Sequence, residues 1–171
     1  MSEQGQQNAN QKLWELIKDV EFGMLTTVDE DGTLRSRPMA TQKVEFDGDL
    51  WFFTYAGSPK AGEIQHDHQV NVSFANPDNN VWVSVSGVGS VVRDRKKMEE
   101  LWNPILKAWF PKGLDEPDIA LLKVDVTKAE YWDAPSNPVV QLYGFVKSQV
   151  TGRPPSPGDN QKLDFEQTRG A

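Results

Sequence analysis

Two cationic stretches hold the residues best suited to chemistry. In Ser58-Pro59-Lys60-Ala61-Gly62-Glu63-Ile64, Ser58 is a candidate N-cap and Pro59 suits the first helical position, where its missing N–H costs nothing. A lysine therefore opens a helix. Free backbone N–H groups, the positive end of the helix dipole and Lys60 converge there, the combination that binds an anion such as phosphate. The competing reading is a capped helix with a solvated lysine, although a cation is mildly disfavoured at that end unless an anion offsets it. The second stretch is Ser36-Arg37-Pro38-Met39. Pro38 cannot donate to a strand ladder, so the backbone beside Arg37 reads as an edge or opening that can face a ligand. An ordinary surface or ion-paired arginine is an equal reading.

Other chemistries find little to work with. The sequence has no cysteine, which excludes disulfides, thiolate nucleophiles and Cys-based metal sites. His66 and His68, the only histidines, are two apart and point to different faces of a helix. Asp29-Glu30-Asp31-Gly32 has the composition of a calcium loop but lacks the ligand spacing, and a hairpin turn accounts for it. No side chain stands out as a general base or nucleophile.

Composition narrows the partners. With 18 Lys and Arg against 25 Asp and Glu, the net charge of -7 argues against nucleic acid or an anionic membrane surface. Any phosphate must be held locally. No apolar run approaches the ~20 residues of a membrane span, and the polar start MSEQGQQNANQK lacks a signal peptide's apolar core, so the expected location is cytoplasmic. At 171 residues one folded domain is expected.

The elements that must position these residues read mainly as β. Residues 1–8 look like a loose tail, and Leu13, Trp14, Leu16, Ile17 and Val20 follow at helical spacing. Phe22 to Val28 and Thr33 to Thr41 flank a turn and predict a hairpin. Val44 to Phe46 and Asp49 to Tyr55 flank Asp47-Gly48, a pair suited to a type I′ turn, which predicts a second hairpin and three meandering strands. Further strands are expected at 70–74, 81–92 and 121–132, with Gly87 and Gly89 marking a bend. Arg93 to Trp109 is helix-prone, and Trp102 and Trp109 would share one of its faces or form a lid or dimer contact. Asn137 as cap, Pro138, and Val139, Tyr143, Val146 and Val150 predict a C-terminal helix over 137–152. From Arg153 to residue 171 the sequence reads as a polar, Pro-rich tail, partly ordered by Leu163 and Phe165. About six antiparallel strands with internal bends fit a small barrel.

Leu25-Thr26-Thr27, Ser36-Arg37-Pro38-Met39, Leu50 to Thr54 with Ser58-Pro59-Lys60, and Glu130-Tyr131-Trp132-Asp133 resemble the general stress protein 26 family, flavin-binding split barrels related to pyridoxamine 5′-phosphate oxidase. The likeness runs from about Leu13 to Gly152. It implies a six-stranded antiparallel split barrel that dimerises and holds FMN, or FAD, at the subunit interface. By position, Arg37 and Lys60 would pair with the flavin phosphate beside the hydroxyls of Ser58 and Thr54. Pro38, Met39 and Ala40 would line the ring edge, and Phe53 would lie beneath the ribityl chain. Trp82 falls where the oxidases place a glutamine from the second subunit, and its ring would stack or cover the flavin. Trp132 would contact the ring or the neighbouring subunit, with a buried strand-end aromatic as the competing account.

The departures bear on activity. Pro59 and Gln42 replace an arginine and a lysine of the oxidases, and their C-terminal Arg-x-His has no counterpart. Pyridoxamine phosphate oxidation is therefore not expected. What remains is a flavin-dependent oxidoreductase acting on another small molecule, or a flavin-binding or flavin-buffering protein without turnover. Haem or deazaflavin ranks lower, since haem would have only His66 and His68 as axial choices.

Overall fold

The structure is a computed structural model and describes residues 3–134 and 159–165. Its elements are α1 (Glu3–Ile17), β1 (Phe22–Val28), β2 (Leu34–Ala40), β3 (Asp49–Tyr55), α2 (Pro59–His66), β4 (Gln69–Asn76), β5 (Val81–Val92), α3 (Arg95–Leu101), β6 (Ile119–Asp133) and β7 (Asp159–Asp164). Single 3₁₀ turns cover Pro77–Asn79, Pro104–Ala108 and Gly113–Asp115. Six strands run antiparallel in the order β2-β1-β4-β5-β6-β3, and the sheet curls into a split barrel.

β1 and β2 form the expected hairpin, with Leu25 opposite Arg37 and Thr27 opposite Arg35. Gly32 takes φ 81° in the turn, where the Asp31 carboxylate accepts from both the amide and the hydroxyl of Thr33. The strands expected at 70–74 and 81–92 form as β4 and β5 and pair as a hairpin, and the register shift between Ser86 and Gly87 supplies the expected bend. At Gly87 a side chain would strike the Asp125 carbonyl oxygen at 2.3 Å, so only glycine lets β5 approach β6 this closely.

The second predicted hairpin does not form. β3 pairs along its whole length with β6, Phe53 opposite Leu121, and Val44 to Phe46 is irregular chain. Two physical reasons decide this. A type I′ turn needs positive φ at both central residues, and of Asp47 and Gly48 only Gly48 has it, at φ 116°. Moreover β3 is apolar on both faces: Leu50 and Phe52 enter the barrel core, whereas Phe53 enters a second cluster with Leu121, Met98, Leu101, Leu106 and Phe110. A strand buried on both faces needs covering layers on each side.

Other elements also differ from the reading. α1 begins at Glu3, so most of the expected loose tail is helix, and its Leu13 and Ile17 enter the barrel core. α3 stops at Leu101 because Trp102 is extended (ψ 127°) and Asn103 is restricted by Pro104. Trp102 and Trp109 therefore share no helix face. In the C-terminal segment, β7 pairs with the second half of β6, and Phe165 is buried edge-on against Phe46. The ordering expected of the polar tail through Leu163 and Phe165 is there, and the structure adds that it takes the form of a paired strand. The helix predicted over 137–152 lies outside the described residues.

Candidate functional site: a cationic corner between β1, β2 and α2

β1 alternates inward and outward, which carries Thr27 into the interior. The hairpin sets Arg35 and Arg37 on β2 two residues apart, hence on one face, and the chain from β3 brings α2 over the same barrel end. Lys60 and Glu63, three apart, share one face of α2. The result is a closed side-chain network. An Arg37 Nη2–H donates to Glu63 Oε2 at 2.6 Å, Thr27 Oγ1 donates to the same oxygen at 2.5 Å, and an Arg37 Nη1–H donates to Thr27 Oγ1. Glu63 Oε1 accepts from Arg35 Nη1 at 3.0 Å, and Arg35 also reaches Asp29 at 3.2 Å.

The Glu63 side chain is only 5% exposed, and a buried carboxylate is tolerated only when paired and hydrogen-bonded. Here two arginines and a hydroxyl satisfy it. Arg37 remains one-fifth exposed, so part of its side chain is open to solvent. Lys60 is held below the usual lysine range, chiefly by desolvation and then by the charge of Arg37, against the opposing pull of Glu63. A desolvated lysine beside an arginine is electrostatically uncomfortable, and an anion would relieve both.

The hydroxyls expected beside this corner are present. Ser58 begins α2, yet its side chain makes no cap hydrogen bond, contrary to the simplest sequence reading. Its Oγ instead lies 3.2 Å from Oγ1 of the buried Thr54. Ser58 and Thr54 thus stand at the start of α2, two residues before Lys60 in the case of Ser58, and Arg37 reaches the same helix at Glu63.

The remaining predicted residues divide. Pro38 is exposed and Ala40 half-buried at the end of β2, but the Met39 side chain is buried in the barrel core and cannot line a ring edge. Phe53 is one residue from Thr54 and so on the opposite face of β3, packed edge-on against Trp102, which removes its side chain from any ribityl path on the Thr54 side. Trp82 and Trp132 are register partners on β5 and β6 with exposed rings. The competing account of Trp132 as a buried strand-end aromatic does not hold.

Three residues of the corner were missed by sequence reasoning: Thr27, Arg35 and Glu63. A signal existed for two of them. Lys60-Ala61-Gly62-Glu63 places a carboxylate one turn after the lysine, and Arg35 precedes Arg37 by one strand repeat.

A cleft of about 560 Å³ opens beside Ala40, between residues 40–44 and the chain from Glu100 to Trp109. Its apolar lining includes Phe22, Trp102, Trp109 and Ile105, and its polar side Gln42, Lys43, Glu21 and Glu100. Phe22 meets Trp109 edge-on at 6.4 Å, and the Tyr55 hydroxyl donates to the Trp109 carbonyl. This volume falls in the range of small-molecule sites.

A family model described as pyridoxamine 5′-phosphate oxidase like matches residues 8–156. The chain belongs to the pyridoxamine 5′-phosphate oxidase-like family. Protein bli-3 of Neurospora crassa is 35% identical over 143 residues, covering 78% of this chain and 68% of that protein. Among solved structures, a protein assigned as general stress protein 26 from Jannaschia sp. CCS1 superposes with a TM-score of 0.74 at 24% identity, covering 93% of this chain and 99% of that one. The general stress FMN/FAD binding protein of Xanthomonas citri is 28% identical, with a TM-score of 0.63 over 74% of this chain and 89% of its own. The split barrel is thus the fold of its family, and the cationic corner is built on the β1–β2 hairpin and α2 of this fold.

Proposed function

We propose that the chain binds a flavin, FMN or FAD, through a phosphate held at the cationic corner, and that it acts as a flavin-dependent oxidoreductase on a small molecule. The observation that carries this reading is the convergence of Arg37 and Lys60, from separate elements, on α2, whose start carries the Ser58 and Thr54 hydroxyls. A phosphate offers several acceptor oxygens and negative charge, which matches an arginine, a lysine and two hydroxyl donors. Desolvated Lys60 and a Ser58 hydroxyl not used for capping are the residues such a group would satisfy. The relative from Xanthomonas citri, named for FMN/FAD binding, supports the same class of ligand.

When bound, the flavin supplies the electron transfer. The chain's own residues anchor and orient it: Arg37 and Lys60 fix the phosphate end, Ser58 and Thr54 add donors, and Pro38 and Ala40 stand along the strand that leads to the cleft. The apolar, aromatic cleft beside Ala40 is the place for the substrate. Glu21 and Glu100 line the cleft against the single cation Lys43, and this acidic excess disfavours a substrate carrying its own phosphate. The exposed tryptophans of β5 and β6 suit a two-fold contact with a second copy, whose Trp82 and Trp132 would cover the flavin.

The test is the visible spectrum of the purified protein and the mass of any released ligand. A flavin spectrum, bleached by a reduced nicotinamide and restored by an added acceptor, is the expected result. A flavin that no donor bleaches leaves a binding or buffering role instead. A colourless protein that takes up neither FMN nor FAD contradicts both.

A further inference from the structure

We infer that Glu63 is a positioning residue for the phosphate anchor: from the buried side of the corner it fixes the Arg37 guanidinium and keeps the charges around Lys60 balanced. This rests on the flavin-phosphate reading above but concerns a residue that the ligand would not touch.

The geometry is that of a clamp. Arg37, Thr27 and Glu63 each bond the other two, and they come from β2, β1 and α2. Of the five N–H donors of a guanidinium, Thr27 and Glu63 engage two, which fixes its plane and leaves the other three for a ligand. Thr27 is fully buried and Glu63 nearly so, whereas Arg37 is partly exposed. The fixed end is therefore inside and the open end outside. Preorganised donors bind an anion without first giving up their freedom.

Charge gives Glu63 a second role. The corner gathers Arg35, Arg37 and Lys60 against Asp29 and Glu63. β1 and β5, which pack on α2, contribute no charged residue. Arg37 favours neutral Lys60 and Glu63 favours charged Lys60. Without the carboxylate, both arginines lose a shared acceptor and Lys60 loses its neighbouring counter-charge. An opposing effect exists, because a carboxylate also repels phosphate. Burial and three satisfied hydrogen bonds decide the balance: the charge of Glu63 is largely offset by the two arginines, and only Thr27 shares its hold on Arg37.

The experiment compares Glu63→Gln with the unaltered chain, titrated with FMN and with riboflavin, which lacks the phosphate, across pH 6 to 10. Glu63→Gln is expected to weaken FMN by about tenfold or more while changing riboflavin by less than about twofold, the loss of a charge-assisted clamp. The fall of FMN affinity at high pH should also begin at lower pH than in the unaltered chain. A defect of folding alone would weaken both ligands equally and leave the pH profile in place. If Glu63→Gln does not fold, Thr27→Val breaks the same ring without altering charge and should show the same FMN-selective loss. FMN binding as tight as, or tighter than, that of the unaltered chain in the folded variant overturns the inference. An unaltered chain that holds FMN no better than riboflavin overturns the phosphate-anchor reading first, and the role of Glu63 with it.

Discussion

Trp82 and Trp132 stand directly opposite one another on β5 and β6, and their residues are 42% and 37% exposed. Two large rings side by side on an open sheet face are costly to leave in water. Met24, 40% exposed on β1, adds to the same apolar balance of the surface. The double variant Trp82→Ser with Trp132→Ser is expected to turn a dimer into a monomer in light scattering and to lower flavin occupancy, with the far-ultraviolet spectrum unchanged. A monomeric unaltered protein would refute the two-fold contact.

FMN affinity should pass through a maximum with pH. Phosphate gains its second charge near about pH 6, so affinity rises through that region. Lys60 carries the opposite limb. Its proton is lost below the usual lysine range, because burial and Arg37 favour the neutral form, so affinity falls on that alkaline side. Fluorescence titration of FMN from pH 5 to 10 measures both limbs, and Lys60→Met should abolish the upper one.

Two glycines should respond oppositely to the same change. Gly87→Ala forces a methyl group onto the Asp125 carbonyl, which costs about 1–3 kcal/mol by overpacking. Gly62 lies inside α2, and a methyl group there would meet nothing within 4 Å. Gly62→Ala should therefore gain roughly 0.5–1 kcal/mol through helix propensity. Thermal unfolding of the two variants checks the signs.

β7 is expected to be structural. Phe165→Ala removes a ring buried against Phe46 in the barrel core and should cost about 3 kcal/mol. Urea denaturation measures this directly. A loss below about 0.5 kcal/mol would mean the segment contributes little to the core.

These elements show where the sequence was readable. Local signals held: the hairpin around Gly32, the helix entered through Pro59, and the strand bend at Gly87 each depend on residues close in sequence. Non-local pairing did not. Nothing in Asp49 to Tyr55 names β6 as its partner, and Asp47-Gly48 offered a local turn that lost to burial of both faces of β3. The site followed the same rule. Arg37 and Lys60 were legible as cations at special backbone positions, while Thr27 and Glu63 looked like an ordinary strand hydroxyl and an ordinary helix acid until folding closed a ring between them and Arg37. Met39 and Phe53 show the converse, because strand alternation and core packing settle where a side chain points.

The central claim is that Arg37 and Lys60 hold a flavin phosphate. The most direct measurement is the affinity of the unaltered chain and of the double variant Arg37→Ala with Lys60→Ala for FMN and for riboflavin, read by quenching of flavin fluorescence. The account predicts that the unaltered chain prefers FMN by about a hundredfold, two charge-assisted contacts' worth, and that the folded double variant binds both ligands alike. A double variant that keeps the full preference for FMN would contradict it.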